Sequence, residues 1–196
     1  MDHDRRTDDE LVQAVMGGNR QVFGVLVDRH LPAVVGVVSR IVCNRADAED
    51  LAQDTFVRAF GRLGQYGRRD SFRNWLLKIA TNLCLNHLQA RKRERNRYLR
   101  VAQNRSEPVE TVDDGPDLPS PRQWQHWLSK LDETQRAAIV LFHFHEMSYA
   151  EVAEALDAPI NTVRTYLHRG RRRLRELMSV RPFPENESCS AVIPNC

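Results

Sequence analysis

The sequence predicts an all-α protein in which two small helical domains are joined by an extended acidic linker. Apolar residues recur at the three- and four-residue spacing of helices along most of the 196 residues, and the alternation typical of strands is nearly absent. From about residue 106 to residue 121 the composition changes to Pro, Asp, Glu, Gly and Ser, which is typical of a linker. The expected divisions are a first domain at 1–100, the linker at 101–120, a second domain at 121–179 and a non-helical C-terminal tail at 180–196.

The composition indicates a soluble protein. Apolar residues make up 41% of the chain and charged residues 28%, which is ordinary for a globular domain. The first residues, MDHDRRTDDE, are unlike a signal peptide, and no run approaches the ~18 apolar residues of a membrane span. We therefore expect a cytoplasmic location and no insertion into a membrane.

The sequence shows no sign of a metal site or of catalytic chemistry. Its cysteines form no CxxC pair and no Cys/His cluster at zinc spacing, and Cys43 and Cys84 fit best as small core residues of a reduced protein. There is also no nucleophile–base constellation and no glycine-rich phosphate loop. We expect neither an enzyme nor a bound cofactor.

Basic residues are concentrated in two blocks. Residues 86–105 hold seven Lys and Arg against Glu94 alone, and residues 160–178 hold six Arg against Glu176 alone. The segment 106–119 between them carries five acidic residues and no base. This distribution favours two separate contacts with polyanions on one chain.

The first elements are helices. Residues 8–29 have Leu11, Val15, Phe23, Leu26 and Val27 at inward positions of a helix that is interrupted near the Gly17-Gly18 pair. Pro32 is expected at a helix start, and 33–42 is apolar nearly all round, which predicts a central core helix.

The stretch DAEDLAQDTFVRAF, residues 47–60, divides into two faces at helical spacing. Leu51, Thr55, Phe56, Ala59 and Phe60 lie on the side expected to be buried. The opposite side carries Asp47, Asp50, Gln53, Asp54 and Arg58. A glycine-rich break, GRLGQYGRRD, follows at 61–70.

Residues 71–90 predict an amphipathic helix. The apolar positions run from Phe72 through Trp75, Leu76 and Ile79 to Leu83, and Ser71 or Asp70 can cap the start. The other side carries a polar ladder with a spacing of four residues, namely Asn74, Lys78, Asn82 and Asn86.

Residues 148–178 predict a helix-turn-helix. Ser148 and Glu151 form an S-x-x-E capping box before a short helix, DAPI at 157–160 supplies the turn, and Asn161 can cap the second helix. The side of the second helix expected to be exposed could reach base edges with its first residues and phosphates with its later arginines. Its residues are Arg164, Thr165, His168, Arg169, Arg171 and Arg172.

Together these motifs resemble the extracytoplasmic-function group of sigma-70 family factors. DAEDLAQDTFVRAF, FRNWLLKIATNLCLNHLQARKR and MSYAEVAEALDAPINTVRTYLHRGRRRLRE occur in the family's order, and the resemblance covers about residues 8–178. It implies an all-α fold with a sigma region 2-like helical bundle at 1–100 and a sigma region 4-like helix-turn-helix domain at 121–179. It also implies a factor that directs core RNA polymerase to promoters and that is commonly held by an anti-sigma protein.

The resemblance assigns the polar side of 47–60 to the polymerase. The expected partners are the basic clamp helices of the β′ subunit, with the β subunit as a further contact of the family. A row of carboxylates offers charge complementarity to such helices, although acids near a helix N-terminus also favour the helix dipole. The expected contact residues are Asp50, Gln53, Asp54 and Arg58.

The resemblance assigns the ladder helix to the melted −10 promoter element. Asn presents both a donor and an acceptor to an unstacked base, and a pocket for that base offsets part of the unstacking cost. The alternatives are a surface amide for Asn82, loop packing for Tyr66 and a solvated helix end for the basic run. The expected −10 residues are Tyr66, Arg68, Arg69, Lys78, Asn82, Asn86, Arg91 and Arg93.

The resemblance assigns the helix-turn-helix to the −35 element. Two departures from the family's pattern stand out: Asn161 where the turn usually ends in Gly, and Gly170 where Ala is usual, which could allow close packing. The acidic linker matches the segment near the RNA exit path or is only a spacer. The tail, with Cys189 and Cys196, is either flexible or a sensory extension.

Two rival readings remain. A stand-alone helix-turn-helix repressor or activator would bind duplex DNA without polymerase, whereas a sigma factor should need core polymerase. A nucleic-acid hydrolase would need acids clustered for a metal ion, and the acids at 47–54 have no His partners.

Overall fold

The computed structural model describes residues 5–67, 71–99 and 119–179. Within these ranges the chain forms eight α-helices and no strand, which confirms the all-α prediction. The helices are α1 (Asp8–Met16), α2 (Phe23–Val42), α3 (Arg45–Gly61), α4 (Phe72–Leu99), α5 (Pro121–Ser129), α6 (Glu133–Ile139), α7 (Tyr149–Ala155) and α8 (Ile160–Ser179). Three short turns of other helix types occur at Arg20–Val22, Leu63–Gln65 and Val140–Phe144.

The first four helices form a bundle around α2. This helix packs against α1, α3 and α4, and α3 also packs against α4. Apolar side chains from all four helices meet with almost no exposure, which is the burial that stabilises the bundle. Fully buried members are Leu11, Leu26, Val34, Val37, Ile41, Ala59, Phe72, Leu76 and Leu77.

The helix start and break predicted near the N-terminus are confirmed. A Thr7–Glu10 capping box, which the sequence analysis missed, begins α1. The helix ends at the Gly17-Gly18 pair, and Gly18 has φ 103°, which favours glycine. The prediction for Pro32 was wrong, because this residue lies inside α2, where it is exposed. Burial of His30 and Val34 on either side of it maintains the helix in spite of the missing amide hydrogen.

Helix α2 is apolar enough to pass a length-and-composition test for a membrane span. The segment Arg20–Val42 has 23 residues and a mean hydropathy of 1.5. Core helices of globular proteins pass the same test, and α2 is the helix that the bundle surrounds.

The second group of helices packs around α8, which contacts α5, α6 and α7. Ser120 and Gln123 form a further capping box at the start of α5. Trp127 is buried in this core, whereas Trp124, Phe142 and Phe144 are half-buried at its edge. Aliphatic side chains fill the rest of this core, among them Leu128, Ile139, Leu141, Val152, Val163 and Leu167.

The helix-turn-helix has the predicted order. The Ser148–Glu151 capping box is present, and Asp157 in the turn has φ 48°. Asn161 does not cap α8, because the helix begins one residue earlier, at Ile160. The carbonyl of Pro159 accepts the first amide hydrogen bonds, from Thr162 (2.8 Å) and Val163 (3.1 Å).

Gly170 allows the close packing that its position suggested. A Cβ atom there would lie 2.9 Å from Cγ1 of Ile139, which is fully buried on α6. The absent side chain therefore sets how closely α8 approaches α6.

His145 lies where the two groups of helices meet. Its carbonyl accepts a hydrogen bond from Arg73 of α4 (3.1 Å), and its ring Nδ1 is 3.2 Å from the same guanidinium. Burial, followed by the charges of Arg73 and Arg40, lowers the pKa of His145 to about 4. Burial likewise lowers the pKa of His30 and of His143.

We expect Gly170→Ala to destabilise the protein through contact with Ile139. Overpacking lowers the free energy of unfolding by ~1–3 kcal/mol, whereas the better helix propensity of Ala raises it by about 1 kcal/mol. The same change in an Ile139→Ala background should be neutral or stabilising, because the opposing atoms are gone. Urea unfolding, monitored by circular dichroism, measures the free energy of unfolding of the wild type, the two single variants and the double variant. Equal effects of Gly170→Ala in both backgrounds would contradict the packing argument.

We expect stability to fall as the pH decreases from about 6.5 towards 4. In this interval the unfolded chain protonates a histidine of ordinary pKa, whereas folded His145 stays neutral, so protons favour the unfolded state. His30 and His143 act in the same direction. The urea midpoint of His145→Gln should depend less steeply on pH than that of the wild type. An unchanged pH dependence in His145→Gln would contradict the argument.

Candidate nucleic-acid and partner interfaces

The outer side of α3 presents an exposed polar row. As the sequence predicts, the exposed residues include Asp50, Gln53, Asp54 and Arg58. The opposite side of the helix is buried in the bundle. Asn44 caps the helix by accepting from the amide of Asp47 (3.1 Å). The four side chains therefore project from a helix whose orientation is fixed by its buried side, which suits the two carboxylates among them to dock a basic partner.

Asp47 does not belong to this exposed row. Its carboxylate contacts Arg91 of α4 and lies 3.3 Å from Nε2 of His87, so it joins α3 to α4. Arg91 is consequently paired within the bundle as well as exposed. This pair gives Arg91 a structural role in addition to the DNA contact expected from the sequence.

Two apolar side chains extend the outer side of α3, and the sequence analysis missed both. Val57 is 70% exposed, and Phe60, expected to be buried, is 38% exposed. Phe60 rests edge-on against Phe23, with ring centroids 5.0 Å apart. Val57 stands three residues after Asp54 and four after Gln53, so helical spacing alone could have placed it on this side.

Helix α4 places three of the four predicted ladder residues, Lys78, Asn82 and Asn86, along one side of a cleft of about 580 Å³. Asn82 and Asn86 are exposed, and Lys78 is half-buried. The side-chain hydroxyl of Ser71 accepts a hydrogen bond from the backbone amide of Asn74 (3.2 Å), which confirms the predicted serine cap. The lining residues are Arg58, Arg62, Gln65, Tyr66, Gly67, Trp75, Lys78, Ile79, Asn82, Leu83, Asn86 and Glu154.

Tyr66 both packs into the bundle and lines this cleft. Its ring lies 5.5 Å from Phe72 and 5.5 Å from Trp75, measured between centroids. Its hydroxyl donates to Asp9 of α1 (2.8 Å). The two expectations for Tyr66, loop packing and a position next to an unstacked base, are therefore compatible with each other.

The cleft also brings together residues that the sequence analysis kept apart or missed. Arg58, expected on the polymerase side, lines it together with Arg62, which was not predicted. Arg93 is exposed further along α4. Arg68 and Arg69 lie outside the described residues, as do 101–118 of the linker and the tail from residue 180.

Helix α8 presents a basic side to solvent. The Thr165 hydroxyl donates to the Asn161 carbonyl (3.0 Å), and Arg164 contacts the Asn161 side chain (3.3 Å). Arg172 lies 3.6 Å from Glu176, one turn further along the helix. The exposed members of this side are Arg164, Thr165, His168, Arg169 and Arg172.

Arg171 is a correction to the expected exposed set. It is 7% exposed, its Nε donates to Nε2 of His143 (3.0 Å), and its guanidinium lies 5.3 Å from the centre of the Phe142 ring. Spacing contained the signal, because residue 171 follows the buried Leu167 by four positions and therefore lies on the same side. Its charge is used within the fold and not at the exposed surface.

Among the described residues no three His, Cys, Asp or Glu side chains are grouped to hold a metal ion. Cys84 is fully buried, and burial raises the pKa of its thiol to about 12. Burial also raises the pKa of Cys43, whose Sγ accepts a hydrogen bond from Arg136 (3.4 Å). Both described cysteines are thus structural thiols with little thiolate character.

Comparison with known proteins places both groups of helices in one family. Residues 26–94 match the family Sigma-70 region 2, and residues 122–174 match Sigma-70, region 4. The RNA polymerase sigma-H factor of Pseudomonas aeruginosa is 30% identical over 174 residues, which cover 84% of this chain and 90% of the relative. The ECF RNA polymerase sigma factor SigW of Bacillus subtilis is 31% identical over 176 residues, covering 84% and 93%.

Solved structures show the same fold. CnrH in complex with the cytosolic domain of CnrY has a TM-score of 0.64 and 27% identity, with 88% of this chain and 97% of that chain covered. The sigma factor RpoE in complex with the anti-sigma factor NepR, from Bartonella quintana, has a TM-score of 0.64 and 24% identity over 81% of this chain and 97% of that chain. The chain thus belongs to the extracytoplasmic-function group of sigma factors in the sigma-70 family.

Proposed function

We propose that this chain docks on core RNA polymerase through the exposed row of α3 and brings two DNA-reading surfaces to a promoter. The observation that carries the proposal is the presence of three chemically different surfaces in one chain: carboxylates on α3, amides and an aromatic cleft on α4, and arginines on α8. Each surface is chemically complementary to the partner proposed for it: basic helices for α3, an unstacked base for α4 and duplex DNA for α8. The sigma family membership argues against a stand-alone repressor, which would have no use for the α3 row.

The polymerase contact uses Asp50, Gln53, Asp54 and Arg58. Fixed carboxylates favour the basic clamp helices of the β′ subunit, with the β subunit as a second contact, because complementary charge speeds encounter and sets register. Val57 adds an apolar contact at the same surface. Residues 1–100 and 121–179 act as the two working domains, joined by the linker at 101–120.

The cleft on α4 takes an unstacked base of the melted −10 strand. Tyr66 and Trp75 offer ring faces and edges, and Asn82 and Asn86 offer donors and acceptors for base edges. Lys78 and Arg93, together with Arg68, Arg69 and Arg91, neutralise phosphates.

The exposed side of α8 enters the major groove of the −35 element. Arg164, Thr165, His168 and Arg169 occupy its N-terminal half, where a recognition helix meets base edges. Arg172 lies where phosphates are expected. We propose that the chain acts in the cytoplasm without catalysing a reaction and without a cofactor. We also propose that an anti-sigma protein binds the chain and holds it inactive; the sigma factor RpoE is known in complex with the anti-sigma factor NepR.

We expect Asp54→Arg to weaken binding to core polymerase by at least about 100-fold, because it places like charges together at the interface. Titration of fluorescent core with the purified chain measures this affinity without DNA. Glu176→Arg makes the same charge change on α8 and should bind core normally. Normal binding by Asp54→Arg would remove α3 from the polymerase contact.

We expect Arg164→Ala to lower initiation about 5- to 100-fold on a promoter with an intact −35 element and to have little effect when that element is scrambled. A lost base contact costs ~1–3 kcal/mol and acts only on the matching sequence. Arg172→Ala should weaken both templates alike and reduce the salt dependence, as a lost phosphate contact does. Sequencing RNA 5′ ends after overproduction supplies the promoter. Equal losses for Arg164→Ala on both templates would show that this residue does not read sequence.

A further inference from the structure

The side chain of Arg164 is held near the start of α8 by two neighbours. Its Nη1 donates to Oδ1 of Asn161, three residues earlier on the same helix, at 3.3 Å. Its guanidinium carbon lies 6.0 Å from the centre of the ring of Tyr149, the first residue of α7. Arg164 and Asn161 are both exposed, so these contacts orient the guanidinium without burying it.

Tyr149 is itself fixed by aromatic packing. The centre of its ring lies 4.9 Å from that of Phe142, and the guanidinium of the buried Arg171 lies 5.3 Å from the same Phe142 ring. A series of contacts therefore runs from the interior of the second group of helices to Arg164 at its surface. Because Tyr149 is half-buried and packed in this way, its ring is a rigid support for the guanidinium.

Asn161 is the part of this arrangement that is particular to this chain. The family's pattern has Gly at this position, and glycine has no side chain that could contact Arg164. Asn161 does not cap α8, because the helix begins at Ile160, so capping does not explain the amide. Thr165 bonds to the backbone carbonyl of Asn161 and leaves the side-chain oxygen to Arg164.

A guanidinium that is already oriented can discriminate between bases more strongly. Arg carries five N–H donors, and the one given to Asn161 leaves others for a bidentate contact with O6 and N7 of guanine. Immobilising a long, freely rotating side chain on binding weakens affinity about twofold to tenfold, and contacts formed before binding remove part of this loss. A phosphate contact needs orientation less, because it depends mainly on charge.

We propose that Asn161 is a positioning residue for −35 recognition, which holds Arg164 in the orientation that reads a guanine of the element. The inference rests on the proposed function, because it takes the exposed side of α8 as the −35 surface. It adds the kind of base that Arg164 reads and the residue that sets how strongly this base is preferred. Asn161 should therefore affect discrimination between sequences more than overall affinity for DNA.

The test uses the full chain with core polymerase on a set of promoter templates. The parent promoter comes from the RNA 5′ ends, and each −35 base pair is replaced in turn. Discrimination at a base pair is the ratio of initiation on the parent template to initiation on the replaced template. The base pair at which Arg164→Ala abolishes discrimination is the one that Arg164 reads, and we expect it to be G·C. An A·T pair there would overturn the guanine assignment.

We expect Asn161→Ala to lower discrimination at this base pair about twofold to tenfold and to leave the other base pairs unchanged. The matched control is the same change in an Arg164→Ala background, where it should have no further effect, because the oxygen has nothing to hold. Asn161→Asp keeps an acceptor for Arg164, so it should keep the ratio at this base pair while its charge weakens initiation on every template. Unchanged discrimination in Asn161→Ala, or an equal loss in both backgrounds, would overturn the proposal.

A measurement on the free chain separates this inference from the proposed function. Nitrogen-15 relaxation should show a more ordered Nε for Arg164 than for Arg169, which has no side-chain partner in the part of the chain that the structure describes. Asn161→Ala should lower the order of Arg164 to that of Arg169, and an unchanged order would contradict the contact.

The two measurements fail in different ways. If the wild-type chain initiates and Arg164→Ala loses discrimination but Asn161→Ala does not, the positioning role is wrong and the proposed function stands. If the wild-type chain does not initiate, the proposed function fails and the recognition role of Asn161 fails with it. The relaxation data would then still show whether Asn161 orients Arg164.

Discussion

Burial of α2 is the constraint on which the outward surfaces of the first bundle depend. The helix packs against both α3 and α4, with Val34, Val37 and Ile41 fully buried between its neighbours. Because each neighbouring helix must turn its apolar side to α2, its rotation about its own axis is fixed. The carboxylates of α3 and the amides of α4 then point outward as a consequence of packing. A partner surface and a DNA surface are thus oriented by one shared core.

The second group of helices uses the same principle with a tighter contact. The missing side chain at Gly170 lets α8 approach Ile139 of α6, and Arg171 is drawn inward to His143 and Phe142. The inward side of α8 is therefore broader than its leucines alone would make it. What remains outside is a narrow basic side, which is the shape that a groove of duplex DNA accepts.

Much of this arrangement could be predicted from local sequence. Helical spacing gave the exposed row of α3 and the ladder of α4, and the S-x-x-E pattern gave the start of α7, because these features depend on neighbours within one or two turns. Arg171 was placed on the exposed side because of its charge, although its position four residues after the buried Leu167 indicated burial. Pro32 was misplaced because tertiary packing overrides its preference for a helix start.

The contacts between the two groups of helices could not be predicted in this way. Asn74 and Glu151 are 77 positions apart, and Lys78 and Glu154 are 76 apart, so no periodicity connects them. Each residue has an adequate local explanation: Glu151 caps α7, and Lys78 belongs to a polar ladder. A side chain that satisfies one local role gives no sequence signal for a second, distant one.

The hydrogen bond between Tyr66 and Asp9 has a consequence for how the protein responds to changes at its amino end. Asp9 belongs to the first turn of α1, and Tyr66 forms a wall of the α4 cleft, 57 positions away. Helix α1 does not line the cleft, but through Asp9 it helps to hold the Tyr66 ring that does. Removal of α1 would therefore take away the carboxylate that accepts from the Tyr66 hydroxyl, so one side of the cleft depends in part on a helix that lies before the region 2 match at 26–94.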